Sequence, residues 1–265
     1  MKKIRIVNID SQVDFCDPKG NLYVTGAEKD CERFAAMLDK ISDKIDDIDL
    51  TMDSHNWAHI AHPMFCKNST GEHPKPFTLI SVDDVKNGVW TTTKPSLYKW
   101  GLEYVRTLEK NSRYVLCIWP PHCIIGSFGQ CLFPTVQDSL KRWCEKYFAY
   151  PNFVTKGSNI LTEHYSAIIA DVPDPNDFTT QLNTRFIQNL EESDIVLVCG
   201  QASSHCVKNT VVDIVNNFSD PAYAKKLRLI KDCMSPVPGF ENLQDELWTF
   251  CKQHGIEVVD SRSPI

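Results

Sequence analysis

Long apolar runs are missing from this chain, and no stretch approaches the roughly 20 residues that a membrane-spanning helix requires. Lysine and arginine never gather into a block, and the net charge is -6 with a pI near 5.7. Such a balance leaves no electrostatic footprint for nucleic acid or an anionic membrane. No CxxC pair and no regular cysteine framework occurs, although the chain holds 11 cysteines. Most of them therefore read as small buried hydrophobes in a reducing compartment, with Cys117, Cys199 and Cys233 lying in or beside apolar runs. The turn Asp10-Ser11-Gln12 lacks the glycines that let a backbone approach a pyrophosphate, which argues against a nucleotide site. Internal repeats and low-complexity tracts are absent too. The start MKKIRIVNID is short and quickly polar, unlike a signal peptide. These absences predict a cytoplasmic protein whose partner is a small molecule, not a nucleic acid or a membrane.

What is present alternates. Short apolar runs at Ile4–Ile9, Ile48–Met52, Arg113–Trp119, Asn152–Thr155, Ile195–Cys199, Leu227–Ile230 and Ile256–Val259 read as strands covered on both faces. Amphipathic stretches separate them. In Ala27–Ile45 the apolar Phe34, Met37, Leu38, Ile41 and Ile45 recur at helical spacing. Thr135–Phe148, Thr179–Leu190, Cys206–Phe218 and Glu241–Gln253 read likewise. The pattern predicts a three-layer α/β/α fold of Rossmann type, with a mostly parallel sheet. One domain over residues 1–265 is expected, carrying a large insertion at about 61–116. That insertion holds Trp90, Tyr98, Trp100 and Tyr104, and reads as a lid or an oligomer contact. Within it, Leu97–Glu109 reads as an amphipathic helix whose aromatics pack.

Six residues, Asp10, Asp53, His55, His122, Lys156 and Cys206, fall where an expected strand gives way to loop. Ligands of open α/β sheets bind outside the carboxyl ends of the strands, so these distant residues can meet at one site. Cys206 follows a strand and the turn glycine Gly200, and opens a helix behind Ser203 and Ser204, both good N-cap residues. A helix N-terminus lowers a thiol pKa, and its free N–H groups can bind an oxyanion. Asp10 offers a proton acceptor and Lys156 a cation, which together with the thiol compose a base-assisted nucleophile. Asp53 and His55 share one side of an extended segment, and His122 completes two imidazoles and a carboxylate. Such a set suits Zn²⁺ first, with Fe²⁺ or Mn²⁺ as alternatives. His59 and His62 are rivals for the third ligand, and read as surface residues or as support behind the ligands.

The order Asp10, Asp53-x-His55, Trp119-Pro-x-His122-Cys123, Lys156, Gly200-x-Ala202-x-x-x-Cys206 resembles the nicotinamidase branch of the isochorismatase-like cysteine hydrolases. The resemblance spans nearly the whole chain. It implies a catalytic triad of Asp10, Lys156 and Cys206, and one divalent metal on Asp53, His55 and His122. It also implies a cis peptide between Gln201 and Ala202, an oxyanion hole from the N–H groups of Ala202 and Cys206, and a slot for a pyridine ring between Phe15 and Trp119. Gln201 joins these two as a substrate-binding residue. The implied reaction converts nicotinamide to nicotinate and ammonia through a cysteine thioester, in a homo-oligomer. Two alternatives stand beside it: a relative acting on another small amide, ureido or carbamoyl compound without a metal, and a non-enzymatic α/β binding module.

Overall fold

In the computed structural model, which describes residues 2–111 and 114–265, six of the seven expected strands pair into one sheet. These are β1 (Ile4–Ile9), β2 (Asp47–Asp53), β7 (Asn152–Lys156), β8 (Ile195–Gly200), β9 (Leu227–Ile230) and β10 (Glu257–Val259). The order is β10-β9-β8-β1-β2-β7, and every pairing in it is parallel. Short pairs lie outside the sheet, β3 (Cys66–Lys67) with β5 (Thr91–Thr92) and β4 (Leu79–Ile80) with β6 (Leu116–Cys117). All residues of β1 and β8 are buried, as strands covered on both faces must be.

The covering helices are amphipathic. Helix α2 (Ala27–Ile41) buries Phe34, Met37, Leu38 and Ile41 and packs on α5 (Pro134–Tyr147). On the chain's later half, α7 (Cys206–Asn217) packs on α8 (Glu241–His254). Helix α6 (Thr184–Glu191) starts five residues later than expected because the Asn183 side chain accepts from Phe186 N at 3.1 Å and fixes the start there. The α1 turn (Val13–Cys16), α3 (Val82–Lys86) and α4 (Tyr98–Lys110) complete the set.

One expected strand is corrected. Leu116 and Cys117 form only the two-residue β6, antiparallel to β4, while Arg113, where that strand was expected to begin, lies outside the described residues. The place beside β2 is taken by β7, with Asp53 in register with Lys156. An apolar run alone does not state which neighbour it will find.

The stretch from about 61 to 116 contains α3, α4 and both small strand pairs. Helix α4 buries Tyr104, as its spacing predicted, and docks on the 161–163 segment. Trp100 Nε1 donates to Leu161 O at 2.7 Å, and the Tyr104 hydroxyl accepts from Glu163 N at 3.1 Å.

Strand order decides where a site can form. From β1 the chain builds outward through β2 to β7, then returns to β8 on the other side and builds through β9 to β10. Loops at the carboxyl ends of β1 and β8 therefore part in opposite directions and leave a crevice. Asp10 follows β1, Asp53 ends β2, Lys156 ends β7, and Gly200 ends β8. Among the described residues no helix is long and apolar enough to cross a membrane.

Candidate active site and metal centre

Lys156 stands at the centre of the crevice, buried, with its Nζ 2.8 Å from Asp10 Oδ2, 3.1 Å from Asp53 Oδ1 and 3.6 Å from Cys206 Sγ. Burial disfavours its charge, but the two carboxylates more than compensate and hold the ammonium well above the usual lysine range. Asp10 adopts a positive φ of 48°, and Thr51 Oγ1 holds it twice, accepting from the Asp10 backbone N–H at 3.1 Å and donating to Asp10 Oδ1 at 2.5 Å. Burial raises its carboxyl above the ordinary aspartate range; Lys156 opposes this and Asp53 adds to it. A base of raised pKa suits proton exchange near neutral pH.

Cys206 is the first residue of α7, as its position after Gly200 implied. Gly200 has φ 115°, and a Cβ there would lie 2.0 Å from Ile9 O, so only glycine lets β8 turn this close to β1. The expected serine cap is corrected. His205 is the N-cap and makes no side-chain cap bond, because Ser203 accepts from Gln244 and Ser204 bonds Val237 N and His205. The helix start is not the only influence on this thiol. Burial pushes the Cys206 thiol well up, Lys156 pulls it down, and Asp10 and Asp53 push it further up. The Asp10 carboxyl lies within hydrogen-bonding reach of the thiol.

Beside this triad lies a second group of donors. Asp53 Oδ2 is 3.0 Å from His55 Nε2 and 3.4 Å from His122 Nε2. His55 Nδ1 meets Gly157 O at 3.0 Å and His122 Nδ1 meets Pro120 O at 2.8 Å, so each Nε2 turns inward to the carboxylate. Outer hydrogen bonds of this kind orient imidazoles for a metal. The three donors fit a divalent ion of the zinc, iron or manganese class. Burial raises the Asp53 carboxyl, but His55 and Lys156 overcome this and hold it well below the usual range, ready as an anionic ligand.

Several contributors carried no sequence signal. Gln12 clamps the Asp53 backbone, with Oε1 accepting from its N–H and Nε2 donating to its carbonyl, both at 2.7 Å. Asp14 accepts from Cys123 N at 2.7 Å and so fixes the turn after His122. Glu163 is buried with Oε2 unpartnered, and burial raises its carboxyl. His59 and His62, read as surface or support, are fully buried against His55.

Phe15, Trp119, Tyr165, Leu22 and Val237 line a cavity together with Asp53, His122, Glu163, Ala202 and Cys206. Trp119 Nε1 donates to the Tyr165 hydroxyl at 2.7 Å, which fixes the indole plane. Gln201 is not among these walls. Its Nε2 donates to Asp30 at 2.9 Å and its Oε1 accepts from Ser235 N at 3.2 Å, so its side chain braces α2 and the following loop. The Gln201–Ala202 peptide is cis, as the resemblance implied.

No known protein-family profile matches the chain. It is 24% identical over 264 residues to a nicotinamidase of Saccharomyces cerevisiae, covering 96% of this chain and 98% of that one. The chain is thus similar to a nicotinamidase over nearly its whole length. Its fold matches the yeast nicotinamidase structure with a TM-score of 0.66 at 19% identity, covering 97% and 99% of the two chains. An Acinetobacter baumanii nicotinamidase and pyrazinamidase matches at TM-score 0.65 and 20% identity, covering 99% and 98%. A pyrazinamidase of Pyrococcus horikoshii in complex with zinc matches at 0.56 and 16% identity, covering 97% and 99%. The chain thus shares the fold of those proteins over nearly its whole length.

Proposed function

We propose that this chain is a metal-containing cysteine amidohydrolase that converts nicotinamide to nicotinate and ammonia. The observation that carries the reading is one buried ammonium, Lys156, bridging Asp10, Asp53 and Cys206. This joins the triad to the donor set of Asp53, His55 and His122. The curated and structural likenesses to nicotinamidases support it.

In the proposed sequence Asp10 accepts the Cys206 proton as Sγ attacks the amide carbonyl carbon. Lys156 steadies the charge passing between the two groups. The N–H groups of Ala202 and Cys206 receive the oxyanion, where each donor supplies about 2.7–4 kcal/mol. As the C–N bond breaks, Asp10 returns the proton to nitrogen and ammonia leaves. Asp10 then takes a proton from water, whose oxygen attacks the thioester, and Cys206 departs as the thiol. Covalent catalysis divides one hard amide cleavage into two easier steps. Phe15 and Trp119 hold the ring flat. A divalent ion, zinc by preference, would be held by Asp53, His55 and His122 and would supply Lewis-acid orientation of a heterocyclic nitrogen or water.

An ammonia-release assay on nicotinamide, pyrazinamide, ureido and carbamoyl compounds, with and without added Zn²⁺, Fe²⁺ or Mn²⁺, tests the reading. Metal-dependent turnover of nicotinamide, lost in Cys206→Ala, is expected. Turnover of only ureido or carbamoyl compounds without metal would transfer the chain to another amidase type, and no turnover at all would leave a binding module.

A further inference from the structure

Neighbouring rings of His55, His59, His62 and His122 crowd together, with centroids 4.3 Å apart for His55 and His59, and 5.4 Å for His62 and His122. Three of the four share one hydrogen-bonding pattern. Like His55 and His122, His62 directs Nδ1 at a backbone carbonyl, Asn56 O, at 3.2 Å. A carbonyl only accepts, so Nδ1 carries the hydrogen and Nε2 of the neutral ring keeps its lone pair. In His55 and His122 that nitrogen faces Asp53. In His62 it is buried and meets no partner, which is costly for an acceptor that a ligand does not satisfy. One donor atom from each of His55, His62 and His122 lies within 4.8 Å of the others. His59 is wired the opposite way. Its Nε2 donates to Thr162 O at 3.0 Å and its Nδ1 accepts from Ala61 N at 3.2 Å, so neither nitrogen is free.

We infer that His62, through Nε2, is a further ligand of the metal proposed for Asp53, His55 and His122, an inference that rests on that reading of the site. The chain then supplies three imidazoles and one carboxylate. This donor set suits zinc, cobalt and iron over the oxygen-seeking magnesium and calcium. Four protein donors satisfy a tetrahedral ion, so contact with water or substrate requires a fifth position.

Cobalt(II) added to chelator-stripped protein, followed by its visible absorption and by competition with a chelator, tests the inference without measuring turnover. His62→Ala should weaken Co²⁺ binding at least about tenfold and change the absorption band, whereas His59→Gln should keep both. If His55→Ala and His122→Ala lose the ion while His62→Ala binds it like the parent with the same band, the inference is overturned and the site stands. Parent-like binding by all three variants would overturn the metal site itself. Should His62→Ala fail to fold, pulsed electron paramagnetic resonance of Cu²⁺-loaded parent protein decides. Three coordinated imidazoles support the inference, and two overturn it.

Discussion

Asp10 and Lys156 touch at 2.8 Å, yet losing one or the other has different consequences for the fold. Asp10→Asn keeps the shape and removes the base, while leaving Lys156 paired with Asp53. Turnover should fall by about 10²–10⁴-fold with little change in stability, as expected for general acid–base catalysis. Because Asp10 is raised above its ordinary 3.8, kcat/KM of the parent should decline with falling pH already above the ordinary aspartate range. A pH–rate profile that stays flat down to the ordinary value removes Asp10 from the proton path. Lys156→Met instead strands two buried carboxylates without their cation. Taking one partner from a buried ion pair costs about 3–5 kcal/mol, so the urea midpoint should drop together with turnover. An unchanged midpoint means the ammonium does not sit between the two acids.

At the scale of elements, the loop after β7 controls the donor set without contributing a ligand. Gly157 has φ 79°, and a Cβ there would lie 2.7 Å from the His55 ring and 2.8 Å from Asp53 Oδ1. Gly157→Ala should therefore strain the backbone by about 1–3 kcal/mol and lower metal content, although all the donors remain. Metal analysis at parent levels would show that the ring and carboxylate yield freely. This glycine was silent in the sequence, where nothing says which side chains will press on a loop. Strand ends were legible, because apolar runs stop where polar residues begin, and that placed Asp10, Asp53, Lys156 and Cys206. Less legible was pairing: the Arg113–Trp119 run looked no different from β1, but among its described residues only Leu116 and Cys117 pair as a strand, and they pair with β4. Ser203 and Ser204 looked like caps for α7, yet tertiary partners on α8 and at Val237 claim them. His62, read as a surface residue or as support behind the ligands, was left undecided by the sequence. A histidine is exposed in one fold and buried in another, and its burial here depends on a fold that packs it against His55 and His122.

At the scale of the whole molecule, two buried histidines make the fold sensitive to acid. His164 and His205 are both buried, and each is pushed down to about 3, first by burial and then by Lys156 and Lys208 respectively. In the unfolded chain both return to the ordinary 6.5. Between these values the unfolded state binds more protons than the native one, so lowering the pH favours unfolding. Each histidine then removes up to about 1.4 kcal/mol of stability per pH unit within that window. Stability conferred by keeping them neutral is full above pH 6.5 and declines as the pH falls toward 3. His205 stands among Trp119, Tyr165 and Phe240, with ring centroids 4.9 to 5.3 Å away, so a phenyl ring can occupy its place. Urea unfolding of the parent at pH 7, 6 and 5 should show a progressive loss, and His205→Phe should make that dependence shallower. Parallel curves for the two proteins would mean that His205 accepts its proton without unfolding, and that the wall it shares with Trp119 admits water.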